Sequence, residues 1–162
     1  MINKIIELGY VVSDLDVAIA YFKKNFLIDN FAISENLQLN KARYLGSSVD
    51  VQIDIAMGSS GGMVIELIQQ QREGDSPFHR PKPGELFTFN HWSMFSENFD
   101  SAVENYMRLG WQEVFYAEVG GKRDDSARLI YLEDKANPVG YLEIMDASPP
   151  TLLNVYEEII NK

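Results

Sequence analysis

Residues 7–19, ELGYVVSDLDVAI, match residues 91–103, HWSMFSENFDSAV, when the chain is shifted by 84 positions. Each copy is followed, further along the chain, by a strand-like run with one glutamate inside it, MVIELI at 63–68 and GYLEIM at 140–145. An internal repeat constrains the architecture more strongly than any local pattern. The sequence therefore predicts two similar halves, with four polar residues at equivalent points: Glu7, Glu66, His91 and Glu143.

Composition narrows the class of protein. A chain of 162 residues forms one domain or two small units that share a core. It has no cysteine, which excludes disulfides, thiolate metal sites and a cysteine nucleophile and fits a reducing compartment, so we expect a cytoplasmic protein. Neither a signal peptide nor a membrane span is expected. The net charge of −10 argues against nucleic acid as a partner.

Each half has the local pattern βαβββ. In the first half we expect a helix at 15–26 and strands at about 4–12, 29–35, 49–57 and 62–69. In the second half we expect a helix at 100–109 and strands at about 88–96, 112–118, 127–133 and 139–146. A polar, proline-bearing stretch separates the halves, and a final amphipathic helix follows Pro149 and Pro150. The predicted division is 1–69, a linker at 70–87, 88–147 and a C-terminal helix within 148–162.

Strand alternation indicates where the four polar residues point. The bulkier face of each strand is expected to pack on a helix, which turns Glu7 and His91 toward the opposite, concave side. The same alternation places Glu66 and Glu143 on that concave side. Charged groups are costly to bury without a partner, and four such groups facing one cup could share a divalent cation such as Mn, Fe, Co, Ni or Zn. The simpler reading is that the glutamates are solvated edge residues and His91 is a hydrogen-bonded core histidine.

Four segments together resemble the vicinal oxygen chelate superfamily, which includes glyoxalase I, methylmalonyl-CoA epimerase, extradiol dioxygenases and bleomycin-resistance proteins. They are VVSDLDVAIAY at 11–21, VIELIQQ at 64–70, FNHWSMF at 89–95 and GYLEI at 140–144. The closest likeness is to the glyoxalase I and methylmalonyl-CoA epimerase branch. The resemblance implies an α+β fold in which two βαβββ repeats form an open barrel-like eight-stranded mixed sheet around a cup, plus a C-terminal helix.

The same resemblance implies a metal site and a reaction. The family's metal positions correspond to Glu7, Glu66, His91 and Glu143, and the departure is Glu7, where those enzymes usually have histidine or glutamine. The implied function is a metal-dependent lyase or isomerase that acts on a small carbonyl or thioester substrate through a stabilised enolate. Glu143 or Glu7 would be the catalytic base, while Glu66 and His91 hold the metal.

Other functions of the same fold stay open. A non-catalytic module for small molecules would use the cup as an apolar pocket lined by Val64, Phe95, Tyr141 and Met145. An extradiol dioxygenase is disfavoured because it needs two histidines, and the other histidine, His79, is predicted to lie on a surface loop. Five basic residues could hold a carboxylate or phosphate or could simply be solvated: Arg72, Arg80, Lys82, Lys122 and Arg123. The expected partners are a small-molecule substrate and a second copy of the chain, in a homodimer.

Overall fold

A computed structural model describes residues 2–120 and 126–161 of the chain. Three helices and nine strands lie within these residues, in two halves that repeat the same order. In the first half they are β1 Glu7–Val12, α1 Leu15–Phe26, β2 Ala32–Tyr44, β3 Ser47–Ser48, β4 Val51–Ser60 and β5 Met63–Gln70. In the second half they are β6 Phe87–Ser96, α2 Phe99–Arg108, β7 Gln112–Val119, β8 Ala127–Glu133 and β9 Tyr141–Asp146, followed by α3 Thr151–Ile160.

The sheet repeats its pairing in the two halves. β1 pairs in parallel with β5, and β6 pairs in parallel with β9, while β1 and β6 meet antiparallel at the junction of the halves. The remaining pairs are antiparallel, and β2 pairs with β7, so that eight strands close on themselves and β3 is attached outside. The predicted α+β fold with an eight-stranded mixed sheet and a C-terminal helix is confirmed, and the β2–β7 contact closes the barrel that the sequence predicted as open.

That contact depends on a strand longer than the sequence pattern suggests. β2 continues to Tyr44, whereas the pattern predicts a strand at about 29–35. Most of its side chains are exposed, but Leu39 and Ala42 are buried in the interior of the barrel. Because polar residues dominate the strand, alternation of apolar and polar side chains is weak, and the extension is hidden from a search for that pattern.

The helices α1 and α2 cover the outer face of the sheet. Asp14 caps α1 by accepting a hydrogen bond from the Val17 amide at 2.9 Å, and Asn98 caps α2 in the same way. The outer side chains of β1 and β5 pack with α1, and those of β6, β8 and β9 pack with α2. The inner side chains of all these strands form a separate core inside the barrel, and this inner face carries the predicted site.

Two segments cover the barrel interior. The segment predicted as a polar linker buries Ser76, Pro77 and Phe78, and the Phe78 ring stands edge-on to the rings of Phe115 and Tyr131 at 5.7 and 5.8 Å. The helix α3 packs against β4 and β5 and buries Tyr156 and Ile159. Within the described residues no helix is both long and apolar enough to cross a membrane.

Candidate functional site

The four polar residues of the repeat meet inside the barrel. Glu7 on β1, Glu66 on β5, His91 on β6 and Glu143 on β9 are all buried, and Glu7 and His91 have no exposed surface. Their apolar neighbours on the same strand faces belong to the inner core, as strand alternation predicts. The closed barrel therefore surrounds three carboxyl groups and one imidazole with apolar side chains.

The strand register explains why these residues converge. Gly9 lies between His91 on one side and Glu66 on the other, so these three positions form one row across the sheet. In the next row Ser93 lies between Glu7 and Glu143. The two rows are related by the internal repeat, which exchanges Glu66 with Glu143, Gly9 with Ser93, and His91 with Glu7.

The His91 ring nitrogen Nε2 is the centre of the cluster. It lies 3.3 Å from Glu7 Oε1, 3.5 Å from Glu66 Oε2 and 3.4 Å from Glu143 Oε2. Glu7, His91 and Glu143 each offer a ligand atom, and these three atoms lie within 4.8 Å of one another. Glu66 joins the cluster through its contact with His91.

Gly9 provides the space for the imidazole. A Cβ atom built on Gly9 would lie 2.0 Å from His91 Cε1 and 2.4 Å from Nε2. Carbon atoms in contact are normally separated by about 3.5–4.0 Å, so a side chain at this position would displace the ring. A glycine inside a strand often marks such a close approach, and this is a signal that the sequence offered.

Ser93 connects two of the carboxyl groups. Its Oγ lies 2.7 Å from Glu7 Oε1 and also contacts Glu143 Oε2. A serine hydroxyl has a single proton and can donate it to only one of these oxygens. A proton on one carboxyl, or a cation shared between them, is needed to satisfy the second contact.

Burial and mutual repulsion favour the protonated forms of two glutamates. Burial, followed by the negative charges of Glu7 and Glu143, raises the pKa of Glu66 well above its usual range. Burial likewise raises the pKa of Glu143 to about 7, although His91, Ser93 and Tyr131 partly oppose that rise. The cluster therefore favours binding a positive charge, either protons or a metal ion.

Two tyrosines extend the site. Burial, together with the charges of the three glutamates, raises the pKa of Tyr131 and that of Tyr156 well above the usual value. Both phenols therefore keep their protons. The Tyr131 ring also lies against the His91 ring, with 4.9 Å between the centroids. The sequence pattern gave no sign of either tyrosine, because their positions depend on the barrel closure and on α3.

A neighbouring residue holds the other nitrogen of the imidazole. Asn90 Oδ1 lies 2.9 Å from His91 Nδ1, and Asn90 Nδ2 donates to the Pro77 carbonyl oxygen at 2.9 Å. A register shift in the β1–β6 ladder occurs at this point, where Gly9 pairs with His91 and Tyr10 pairs with Phe89. Asn90 is thus the extra residue of a bulge.

The site borders a small apolar cavity of about 50 Å³. That volume holds a few water molecules. Glu66, Glu143 and Tyr131 reach it from the barrel wall, and Leu152 and Tyr156 reach it from α3. Among the four predicted pocket residues, Met145 lines this cavity, while Val64 and Phe95 are buried in the core and Tyr141 borders a separate hollow near His79.

The donor set suits a divalent cation. Imidazole nitrogen and carboxylate oxygens bind Mn, Fe, Co, Ni and Zn. A cation about 2.1 Å from each ligand separates neighbouring ligand atoms by about 3.0–3.5 Å, and the distances around His91 Nε2 lie in or close to this interval. Glu7 Oε2 is buried without a hydrogen-bond partner among the described residues, which is costly unless a cation or a proton is supplied.

The other predicted functional residues lie elsewhere. His79 is exposed, and its Nε2 lies 3.2 Å from the Tyr44 hydroxyl. Arg72 and Arg80 border a hollow on the 70–80 segment, away from the cluster, and Arg72 forms an ion pair with Asp50. Lys82 borders a third hollow with Ser13. The predicted basic pair Lys122 and Arg123 lies outside the described residues.

A buried imidazole faces three carboxyl groups inside a barrel built from two paired βαβββ modules. The family model of the glyoxalase/bleomycin resistance protein/dioxygenase superfamily matches residues 7–128, and the chain belongs to this superfamily. No curated protein matches the sequence significantly.

Solved structures share the fold at low sequence identity. The methylmalonyl-CoA epimerase of Mycobacterium tuberculosis aligns with a TM-score of 0.58 and 13% identity, over 94% of this chain and 93% of that one. A hypothetical protein from Bacillus halodurans aligns with a TM-score of 0.55 and 13% identity, over 88% and 93%. A Streptomyces coelicolor methylmalonyl-CoA epimerase in complex with 2-nitronate-propionyl-CoA aligns with a TM-score of 0.50 and 14% identity, over 91% and 99%.

Proposed function

We propose that this protein is a metal-dependent isomerase or lyase that moves a proton on a carbon next to a carbonyl or thioester group. The observation that carries the proposal is the contact of His91 Nε2 with three buried carboxyl groups inside an apolar barrel. Such a cluster is destabilising in a folded protein unless a positive charge is bound there. The similarity to methylmalonyl-CoA epimerases supports the same class of reaction.

Glu7, Glu66, His91 and Glu143 would hold the cation. The bound ion would supply electrostatic stabilisation of the negative charge that develops on a substrate carbonyl oxygen. Its charge also offsets the repulsion among the carboxylates. Related enzymes usually have histidine or glutamine at the position of Glu7. The glutamate adds a negative charge to the site, which shifts its metal preference toward harder ions such as Mn²⁺ or Fe²⁺.

Glu143 is the better candidate for the catalytic base. Glu143 lines the cavity, whereas Glu7 is fully buried and is not among the residues that line it. Without a cation, burial raises the pKa of Glu143 to about 7; a bound cation would lower that pKa and keep the carboxylate ionised, which is the form that accepts a proton. The carboxylate would take the proton from the substrate carbon and return it to the same or a neighbouring carbon.

The apolar cavity wall would keep water away from the substrate carbon after its proton has been removed. Because the cavity holds only a few water molecules, a substrate the size of a thioester requires Leu152 and Tyr156 of α3 to move outward. We therefore expect α3 to shift when substrate enters.

Proton exchange tests the proposal directly. The metal-loaded protein would be incubated in heavy water with methylmalonyl-CoA and, separately, with the hemithioacetal of methylglyoxal and glutathione. Deuterium uptake or isomerisation that is lost in Glu143→Gln but kept in a control variant such as Glu104→Gln supports the proposed enzymatic activity. A non-catalytic binding protein of the same fold would bind a small molecule without metal and exchange no proton into it, and that result would replace the proposal.

A further inference from the structure

We propose that Asn90 is a positioning residue that fixes which nitrogen of His91 faces the metal site. The assignment rests on the metal site proposed above, but its structural basis is separate from it. Asn90 is 6% exposed, and within the described residues its side chain hydrogen-bonds to His91 and to the Pro77 carbonyl oxygen but to no carboxylate of the cluster. It would therefore act on the site through His91.

The orientation of the Asn90 amide follows from its second partner. The Pro77 carbonyl oxygen can only accept a hydrogen bond, so the atom of Asn90 that faces it must be the amide nitrogen Nδ2. The opposite atom is therefore the oxygen Oδ1, which can only accept. His91 Nδ1 must then carry the proton of the 2.9 Å hydrogen bond.

The position of that proton determines the chemistry of the other nitrogen. In a neutral imidazole one nitrogen has a proton and the other has a lone pair. With the proton on Nδ1, the Nε2 lone pair points toward Glu7, Glu66 and Glu143, where a cation would bind. The opposite tautomer would place an N–H group there and would not ligate a metal.

The β6 bulge makes this contact available. In a regular strand, consecutive side chains point to opposite faces of the sheet, and two neighbours such as Asn90 and His91 would not meet. The register shift between Gly9 and Tyr10 breaks that alternation at Asn90. Bulges of this kind redirect side chains next to functional sites. The buried segment that contains Pro77 is thereby linked to the orientation of His91.

Three variants separate positioning from general support of the fold. Asn90→Leu removes the acceptor for His91 Nδ1. Asn90→Asp keeps an acceptor oxygen toward His91 Nδ1 but loses the donor to the Pro77 carbonyl oxygen, so it separates the two contacts. Gln70→Leu is the matched control, because Gln70 is also a buried amide that donates to backbone carbonyls of the 70–80 segment, at Arg72 and Gly74. It loosens the same segment without touching His91.

The measurements are ¹⁵N chemical shifts of the His91 ring, with and without Zn²⁺, and the dissociation constant for Zn²⁺. In the wild-type chain we expect Nδ1 to be protonated in both states. Asn90→Leu should lose that signature and bind Zn²⁺ about 10–100-fold more weakly, the range found when a partner of a ligating histidine is removed. Asn90→Asp should retain the protonated Nδ1, whereas Gln70→Leu should retain it and also bind Zn²⁺ within a few-fold of wild type.

Two results would overturn the assignment. One is an unprotonated Nδ1 in the wild-type ring, and the other is an Asn90→Leu protein with wild-type ring shifts and wild-type affinity. If Asn90→Leu does not fold, the wild-type spectrum and the Asn90→Asp variant still decide the question. Failure of the metal proposal is recognised separately, since wild-type protein would then bind no Zn²⁺ while the metal-free spectrum continues to report the Nδ1 proton.

Discussion

Replacing Gly9 by alanine adds one methyl group in contact with the proposed metal site. The added Cβ would lie 2.0 Å from His91 Cε1, 2.4 Å from Nε2 and 2.5 Å from Nδ1. Because carbon atoms pack at about 3.5 Å or more, either the ring or strand β1 must move by about 1.5 Å. The ring is fully buried and hydrogen-bonded to Asn90, so it has no free space into which it could move.

We expect Gly9→Ala to lower the free energy of unfolding by about 1–3 kcal/mol, the usual cost of overpacking a core. The displaced Nε2 should also weaken binding of a divalent ion by about 10-fold or more, because a ligand set held about 1 Å out of place loses its function. Urea unfolding monitored by circular dichroism gives the first quantity. Titration of the metal-free protein with Co²⁺, followed by its absorption spectrum, gives the second.

Gly74→Ala provides the matched control. A Cβ on Gly74 meets no atom within 4 Å. Its stability should stay within about 0.5 kcal/mol of wild type, and its Co²⁺ affinity should not change. A Gly9→Ala protein that equals wild type in both measurements would refute the inferred packing of His91 against β1.

Three further predictions concern other groups. In chelator-treated protein between pH 4.5 and about 7, Glu143 is protonated in the folded state and ionised in the unfolded state. The free energy of unfolding should therefore fall by up to about 3 kcal/mol as the pH rises through this window. Glu143→Gln should flatten that decrease relative to wild type and to Glu104→Gln in urea titrations at several pH values, and an unchanged slope would contradict the raised pKa. Phe78→Ala should lower the free energy of unfolding by about 3–5 kcal/mol because the ring is 2% exposed, whereas Arg80→Ala at an exposed position should lower it by less than about 0.5 kcal/mol. A loss below about 1 kcal/mol for Phe78→Ala would show that this segment does not pack into the barrel interior. Arg128→Leu should cost about 1–3 kcal/mol because it leaves the buried Asp146 carboxylate, 2.8 Å from Arg128 Nε, without its ion pair, and an equal loss in an Asp146→Asn background would exclude that pairing as the cause.

Much of the fold could be predicted because the sequence contains an internal repeat. The repeat predicted the paired βαβββ halves, and strand alternation predicted the inner and outer faces of β1, β5, β6 and β9. The helices predicted at 15–26 and 100–109 correspond to α1 and α2 within one residue at each end. These features are local or periodic, so a single sequence is sufficient to find them.

The parts that could not be predicted depend on contacts between distant segments. The β2–β7 pairing joins residues such as Arg43 and Tyr116, and no local pattern in β2 indicates that partner. Phe78 is the single aromatic residue before His79 in a stretch of polar and proline residues, so the sequence pattern predicts a linker and gives no sign that Phe78 is buried. Tyr156 reaches the cavity only because α3 packs across the barrel.

The site was predicted as a set of four residues, and its geometry was not. The contacts of Gly9, Ser93 and Asn90 with Glu7 or His91 depend on strand register and on the β6 bulge, which the sequence pattern did not predict. The metal itself, the homodimer, the cytoplasmic location and the division into modules stay predictions.

Metal binding by the wild-type chain is the property on which the proposed function depends. The protein would be stripped with a chelator and titrated with Mn²⁺, Co²⁺, Ni²⁺ and Zn²⁺ by calorimetry, with His91→Ala and the exposed-histidine variant His79→Ala measured in parallel. We expect one ion per chain for wild type and His79→Ala, and at least about 100-fold weaker binding for His91→Ala. Wild-type protein that binds none of these ions, or a His91→Ala protein that binds them equally well, would contradict it.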